Sequence, residues 1–254
     1  MYEKFGKSII SLLEEFGKMT TLAVQSLGVI FRLKFKFNLV LDQMVKIGFD
    51  SIPVAVTTSF FVGMVFSVQI AYEFTKFGAG RMVGGVMVIA IARELAPALT
   101  GVVIAARIGA AIAAELGTMN VTLQIDAIRA MGSSPVKYLV VPRVIACTLM
   151  LPILTIIADI VGFVGGYIVS VYIANINPIA YMDSAQQFLK VADFQGGLLK
   201  AFIFGFLIAI ISCSRGLSAK GGAKGVGQAT TSAVVISLIT IFISNYFLSM
   251  LLFK

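Results

Sequence analysis

The chain has 254 residues, of which 59% are hydrophobic and 13% charged, and its mean hydropathy is +0.99. Soluble domains are typically about 45–50% apolar and about 25% charged, so a soluble domain is excluded and lipid is the expected solvent. With no His and two Cys, the sequence also lacks the usual ligands of zinc and haem and the partners for a disulfide framework. We expect no metal site, no cofactor and no catalytic residues.

Apolar runs that are long enough to cross a bilayer recur along the chain. A hydrocarbon core about 30 Å thick needs about 20 helical residues. We predict an all-α membrane protein with an N-terminal interfacial amphipathic region, residues 1–49, and a five-span domain, residues 50–254. The predicted spans cover residues 52–72, 83–116, 140–173, 194–214 and 228–253.

The positive charge is unevenly divided between the two sides that these spans define. The segments 1–50, 107–143 and 215–224 hold 14 Lys and Arg residues, whereas the segments on the other side hold five. Because cytoplasmic loops carry the excess of Lys and Arg, the N-terminus is predicted to be cytoplasmic and the C-terminus external. Topology therefore accounts for the net charge of +8, and no nucleic-acid partner is expected.

The first 50 residues are too charged for a cleaved signal peptide and have the period of an amphipathic helix. This pattern predicts a helix that lies in the cytoplasmic interface, followed by a basic and aromatic anchor over 31–37. The predicted apolar stripe consists of Phe5, Ile9, Leu12, Phe16, Met19 and Ala23.

Ionisable residues inside the spans mark candidate functional positions, because each costs about 2.5–3.5 kcal/mol to insert. Arg93, Glu94, Asp159 and Lys200 qualify. Helical rise places Arg93, Asp159 and Lys200 at a similar depth, and Asn245 in the fifth span joins them. The alternative is that these charges snorkel to the headgroups or pair structurally.

Arg93 and Glu94 point about 100° apart on a helix, so each needs its own partner. Pro97 has no N–H to donate to the Arg93 carbonyl, and the helix is therefore predicted to kink or open at this pair.

A short segment between the second and third spans has the signals of a separate helix on the cytoplasmic side. Asn120 or Thr118 can cap it, Gly132 can end it in the left-handed conformation, and Pro135 prevents its continuation. Its polar positions are Gln124, Asp126 and Arg129, beside an apolar stripe of Val121, Ile125 and Ile128. The segment is either an ordinary interfacial loop or a helix that docks in the groove of a cytoplasmic partner.

A glycine-rich segment, residues 221–228, lacks the spacing of a phosphate-binding loop and is predicted to be a tight cytoplasmic turn.

Several separate motifs resemble the MlaE permease family over roughly residues 45–250. The motifs are Arg93-Glu-Leu-Ala-Pro97, Ala113-Ala-Glu-Leu-Gly-Thr-Met119, Gln124-Ile-Asp-Ala127 with Met131-Gly132 and Pro135, and the segment 221–231. Members of this family are the membrane subunits of ABC transporters that move phospholipids between the inner and outer membranes of diderm bacteria. A related permease lies in the chloroplast envelope.

The resemblance implies a homodimeric permease in the bacterial inner membrane, with its C-terminus in the periplasm. Its expected partners are a cytoplasmic ABC ATPase that binds the ATP, a periplasmic MCE-domain protein and, in many systems, a STAS-domain protein. The segment 118–132 then resembles the coupling helix that docks on the ATPase. Its candidate coupling residues are Glu115, Thr118, Val121, Gln124, Ile125, Asp126, Ile128 and Arg129.

The same resemblance places Arg93 and Glu94 near a lipid pocket between the two subunits, with Lys200, Asn245 and Asp159 as further candidates. Two residues depart from the family pattern. Leu123 stands where Glu is usual, which would remove a capping-box partner of Asn120. Asn245 stands where Asp is common, which puts an ionic partnership with Lys200 in doubt.

The function expected from the sequence is that of a phospholipid permease driven by a separate ATPase, with no enzymatic activity of its own. The alternative is an ion-coupled secondary transporter that uses Glu94 and Asp159 as proton carriers, although five spans do not divide into two equal inverted repeats.

Overall fold

The computed structural model describes residues 2–32 and 35–253, with side chains throughout those ranges except at 2–9, 11 and 12. The predicted all-α fold is confirmed, since the described residues form helices and no strand. Within the described ranges, five helices are long and apolar enough to cross a membrane. The helices are α1 (Tyr2–Phe31), α2 (Phe37–Lys76), α3 (Gly80–Val121), α4 (Gln124–Ala130), α5 (Val136–Ile173), α6 (Pro178–Phe188), α7 (Val191–Leu217) and α8 (Gly222–Leu252).

Each spanning helix is longer than its predicted apolar run. The first span, predicted at 52–72, belongs to α2, which begins at Phe37 and passes through a short 3-10 turn at Phe49–Ser51. The predicted boundary at residues 49 and 50 therefore falls inside one helix. The chain divides into two compact units, each held together by contacts among its own residues. One comprises Met1–Met44, Ala105–Cys147 and Phe206–Ser237, and the other Val45–Ile104, Thr148–Gly205 and Leu238–Lys254. We call them the first and the second unit.

In the first unit, α1 is a helix as predicted, and Met19 and Ala23 of its predicted apolar stripe are half-buried. Phe16 is 67% exposed, whereas Leu22 and Ser26 are buried. Glu15 on the packed side forms a bidentate ion pair with Arg215 of α7, with Oε1 2.7 Å from Nη1. The side chains of Phe5, Ile9 and Leu12, and the residues Leu33 and Lys34 of the predicted anchor, lie outside the described residues.

The predicted glycine-rich turn is shorter than expected. Within the segment 221–228, only Gly221 and Gly222 have positive φ, at 85° and 68°, and α8 begins at Gly222. The rest of the segment is helical, so the prediction of a turn over 221–228 is wrong beyond its first two residues. Small residues here serve close contact, because a side chain at Gly225 would collide with the Lys220 carbonyl.

In the second unit, α2 and α5 approach each other at glycine positions. A Cβ at Gly63 would collide with the Gly162 carbonyl, and Gly165 lies against the Phe60 carbonyl at the same interface. A buried hydroxyl pair follows one turn further along, where Ser67 Oγ lies 2.7 Å from Ser170 Oγ. The backbones can meet at this distance because no side chain separates them.

Helix α6 is absent from the sequence prediction. Asn177 caps it, accepting from the Ile179 N–H at 2.9 Å, and Pro178 occupies its first position. Tyr181 of α6 is fully buried among residues of α2, α3 and α5, and this burial raises the pKa of its hydroxyl. The Asn-Pro pair is a helix-start signal that the search for long apolar runs passes over.

Candidate functional site

The predicted opening of α3 at Arg93 is confirmed as a π-helical turn over Ile91–Leu95. Pro97 has no N–H, so the Arg93 carbonyl loses its helical donor. Lys200 of α7 supplies the missing donor, with its Nζ 2.8 Å from the Arg93 carbonyl oxygen. A side chain from a neighbouring span thus stabilises a turn that the proline alone would leave unsatisfied.

Lys200 is fully buried, and three acceptors surround its ammonium group. Besides the Arg93 carbonyl, it donates to Glu94 Oε1 at 2.8 Å and to Ser249 Oγ at 2.7 Å. An ammonium has three protons, and each is matched here by an acceptor. Lys200 therefore does not extend to the lipid headgroups. It holds the Arg93 carbonyl and the Glu94 carboxylate in position.

Glu94 collects further donors from α8. Asn245 Nδ2 donates to Glu94 Oε2 at 2.9 Å, and Ser249 Oγ lies 2.8 Å from Glu94 Oε1. An amide at position 245 can donate to this carboxylate, which an ionised aspartate could not do. Asn245, which departs from the family pattern, is therefore suited to its contact with Glu94. The ionic partner of Lys200 is Glu94 itself.

Arg93 has a separate partner, as its angle to Glu94 predicts. Its Nε and Nη2 both donate to Asp193 Oδ1, at 3.0 and 2.7 Å. The centre of the Phe253 ring lies 4.8 Å from the Arg93 guanidinium carbon and 4.8 Å from Lys200 Nζ. Arg93 is 31% exposed, and its Nη1 has no partner among the described residues.

Asp193 and Ser249 are the members of this network that sequence reasoning missed. Asp193 stands one residue before the predicted fourth span, so it was counted with the loop, yet it is buried as part of α7. Ser249 carries no charge and has no signal of its own. Its spacing of four residues from Asn245 was the available clue, because that spacing puts both side chains on one helical face.

Asp159 lies apart from the network. It lines an apolar cavity of about 290 Å³ together with residues such as Ile91, Phe163 and Phe194. Its Oδ1 is buried without a partner among the described residues. The structure thus brings together four of the five predicted pocket residues and leaves the fifth in a separate, apolar setting.

The predicted caps of the short helix are wrong. Thr118 and Asn120 belong to α3, where Thr118 Oγ1 donates to the Ala114 carbonyl at 2.8 Å and Asn120 Nδ2 donates to the Ala219 carbonyl at 2.9 Å. The helix α4 begins after Leu123, which has a φ of 59° and caps it without a side-chain hydrogen bond. Because Asn120 is no cap, the proposed loss of a capping-box partner at Leu123 does not apply.

The C-terminal end of α4 follows the prediction. Gly132 has a φ of 72°, and the Ser133 N–H donates to the Ile128 carbonyl at 3.1 Å. Pro135 stands at the start of the next helix, where its missing N–H is harmless.

The candidate coupling residues divide into a packed and an exposed set. Ile125 is fully buried, and Val121 and Ile128 are half-buried, so the apolar stripe holds α4 to its own unit. Glu115 forms an ion pair with the buried Arg143 at 2.8 Å. Gln124, Asp126 and Arg129 are exposed, as is Leu123 at 65%. The exposed set is the part of this segment that its own unit leaves uncovered.

Comparisons with known proteins identify one family and several relatives of this chain. Residues 40–251 match the family model described as Permease MlaE. A probable ABC transporter permease protein of Synechocystis sp. is 53% identical over 84% of this chain and 81% of its own length. One from Rickettsia typhi is 44% identical over 98% of this chain and 96% of its own. The protein TRIGALACTOSYLDIACYLGLYCEROL 1, chloroplastic, of Arabidopsis thaliana is 44% identical over 89% of this chain and 64% of its own.

Proposed function

The chain belongs to the MlaE family of ABC transporter permeases, and from this we propose that it moves phospholipids between the inner and outer membranes of a diderm bacterium. The predicted resemblance is confirmed. The name of the Arabidopsis relative contains a galactolipid, which supports a lipid as the cargo. As a permease subunit the chain would depend on a separate ATPase for hydrolysis of ATP.

The observation that carries the proposal is the setting of Arg93. A guanidinium lies inside a span, two of its nitrogens are fixed by Asp193, and Nη1 is left for a ligand. Arg binds phosphate through its planar donors, and such a bond is strong where water is scarce. We assign Arg93 to the lipid phosphate and Glu94, Asn245 and Lys200 to the support of that site.

A second copy of the chain would complete the pocket. Helix α8, which carries Asn245 and Ser249, is the least buried of the spanning helices. Its exposed side chains include Phe242, Tyr246 and Phe247. An apolar face of this size beside a polar network supports a homodimer whose interface encloses the acyl chains.

The exposed face of α4 would receive force from the ATPase. Substitution at Ile125 cannot test this, because a polar residue there would unfold the packed stripe. Leu123→Asp and Arg129→Glu change exposed residues instead, and Asp tolerates the left-handed backbone at position 123. Both variants should lose the ATPase on co-purification, whereas Asp42→Lys, on the exposed side of α2, should retain it. Full retention by both variants would overturn the coupling assignment.

On the external side we expect a periplasmic MCE-domain protein to receive or deliver the lipid, and a STAS-domain protein could join the cytoplasmic ATPase. These partners rest on family membership.

The test of the function is phospholipid transport by the purified transporter in reconstituted vesicles. Arg93→Glu should abolish ATP-dependent transfer of labelled phospholipid while the complex still assembles. Lys46→Glu, an exposed cation on α2, is the matched control and should transport normally. Undiminished transfer by the Arg93 variant would remove it from the mechanism, and no transfer by the unaltered complex would refute the phospholipid cargo.

The ion-coupled alternative is less well supported by the arrangement of the carboxylates. Glu94 is bonded to Lys200, Asn245 and Ser249, and no hydrogen bond among the described residues links it to Asp159. A proton path would need such a link or water between them. Transport that responds to a proton gradient and persists without ATP would favour this alternative.

A further inference from the structure

The second unit contains a cleft of about 690 Å³, lined mostly by polar residues, that the lipid site does not use. One wall consists of the end of α2, the turn that follows it and the start of α3, and it includes Thr75 and Arg81. The other wall is the segment that leads into α6 together with one side of that helix, including Asn175, Asp183 and Gln187.

The walls of this cleft are held rigidly. A Cβ at Gly84 would collide with the Tyr181 carbonyl, so α3 and α6 meet backbone to backbone. The Gly85 N–H donates to the buried Ser184 Oγ at 3.0 Å across the same contact. Because α6 is also capped by Asn177, the cleft is preorganised and a ligand would not have to order it.

Two opposite charges face the cleft without pairing. Neither Arg81 nor Asp183 forms an ion pair with any described residue, although both line the same space. The other charges at this turn are satisfied, since Lys76 pairs with Glu73 at 3.2 Å and lies 4.0 Å from the centre of the Tyr72 ring. Among the described residues that line it, the cleft therefore presents one cation, Arg81, and one anion, Asp183, without an ionic partner.

The chain segments that supply the lining of the cleft also carry exposed apolar and aromatic residues, as at a membrane interface. Phe77, at the end of α2, is 82% exposed, and Tyr172, near the end of α5, is 74% exposed. Ile179, which lines the cleft, is 70% exposed. Aromatic residues at the ends of spans mark the level of the lipid headgroups, so a headgroup can reach the cleft while its acyl chains stay in the bilayer.

We propose that this cleft binds the headgroup of a zwitterionic phospholipid with a primary ammonium, the phosphoethanolamine class. Arg81 would donate to the phosphate and Asp183 would accept from the ammonium. A quaternary ammonium has no N–H to donate and is recognised by aromatic rings, and none of the described residues lining the cleft is aromatic. An anionic headgroup without an ammonium would be repelled by Asp183. This inference deepens the proposed function, on which it rests for a phospholipid cargo.

The test uses the full chain purified in detergent, with short-chain phosphatidylethanolamine, phosphatidylcholine and phosphatidylglycerol as probes and native mass spectrometry as the readout. Phosphatidylethanolamine should bind most tightly. Arg81→Gln should weaken its binding about tenfold, the effect of losing one charged hydrogen bond. Asp183→Asn should remove the preference over the other two lipids. The controls Lys76→Gln and Glu73→Gln remove paired charges of the same turn and should leave the preference intact.

Equal binding of the three lipids, or variants that behave like the controls, would overturn the proposal. Free phosphoethanolamine that binds as tightly as the lipid would assign the cleft to a soluble headgroup and also overturn it. Phospholipid transport by the reconstituted complex separates this result from the function. Transport with no ethanolamine preference at the cleft refutes only the inference, whereas absence of transport refutes the function.

Discussion

Each unit of the molecule buries one cation against a carboxylate that stays partly exposed, yet the two cations are bonded differently. In the second unit, Lys200 is 0% exposed and faces Glu94, whose side chain is 40% exposed. In the first, Arg143 is 4% exposed and faces Glu115, which is 51% exposed. Every proton of Lys200 has an acceptor, whereas Arg143 Nε has no partner among the described residues.

The difference shows what each charge does. Lys200 donates to the Arg93 carbonyl, which Pro97 leaves without a helical donor, and it also holds Glu94 in one position. Arg143 donates to the Leu139 carbonyl of its own helix at 2.6 Å and to a carboxylate that can return to solvent. Removal of Lys200 should therefore be more damaging than removal of Arg143.

The largest effect is expected for Lys200→Met. It leaves the Arg93 carbonyl without its donor and Glu94 without its ionic partner, and removal of one partner of a buried pair typically costs about 3–5 kcal/mol. Because Glu94 is partly exposed, we expect the free energy of unfolding to fall by about 3 kcal/mol, the lower end of that range. Equilibrium unfolding in sodium dodecyl sulfate, followed by circular dichroism, measures it. The double variant with Glu94→Gln should recover part of the loss, and a single variant as stable as the parent would contradict the account.

The second prediction concerns Pro97→Ala in the Lys200→Met background. The new N–H can donate to the Arg93 carbonyl, so about 1 kcal/mol of the loss should return, the value of one ordinary hydrogen bond. The same unfolding measurement applies. The control is Leu95→Ala in the same background, which does not restore this bond. Equal recovery of stability in that variant would show that the missing donor to the Arg93 carbonyl is not the cause of the loss.

Arg143→Met should have a smaller effect than Lys200→Met, a fall in the free energy of unfolding of about 1–2 kcal/mol. The exposed Glu115 can be hydrated once its partner is gone, whereas the Arg93 carbonyl lies inside a span, where water is scarce. A larger loss than that of Lys200→Met in the same assay would reverse the comparison between the units.

The smallest effect is expected at the pair of Glu15 and Arg215. The hydrogen bonds from Arg215 hold the pKa of the Glu15 carboxyl below its usual range. A carboxyl whose pKa is lowered by folding contributes stability above its unfolded pKa and loses it as the pH falls through its folded pKa. The carboxylate is 41% exposed, so the contribution should stay below about 1 kcal/mol.

Spin labels at Gln25 and Ser218, both in the first unit, would report the attachment of α1 by electron resonance. The distance distribution should broaden on acidification. Glu15→Gln should show the broad distribution at neutral pH and no further change, and an unaltered acid response in that variant would assign the effect to another group.

The residue pattern predicted the helical fold, the opening at Arg93 and the separate partners of Arg93 and Glu94, because apolar length, a missing N–H and helical angle are local properties. It did not predict how far each helix extends, since helix ends depend on hydrogen bonds and not on hydropathy. It placed the caps of α4 wrongly because Asn120 finds a partner at Ala219, 99 residues away. Asp193 was missed for the same reason, as its partner Arg93 is 100 residues away.

The most direct measurement of the central claim is the lipid content of the purified chain, read by mass spectrometry. We expect that phospholipid co-purifies with the unaltered protein, that Arg93→Gln loses most of it, and that Arg143→Gln, which removes the cation of the other unit, retains it. An Arg93 variant with a full complement of phospholipid, or an unaltered protein with none, would contradict the assignment of Arg93 to the cargo.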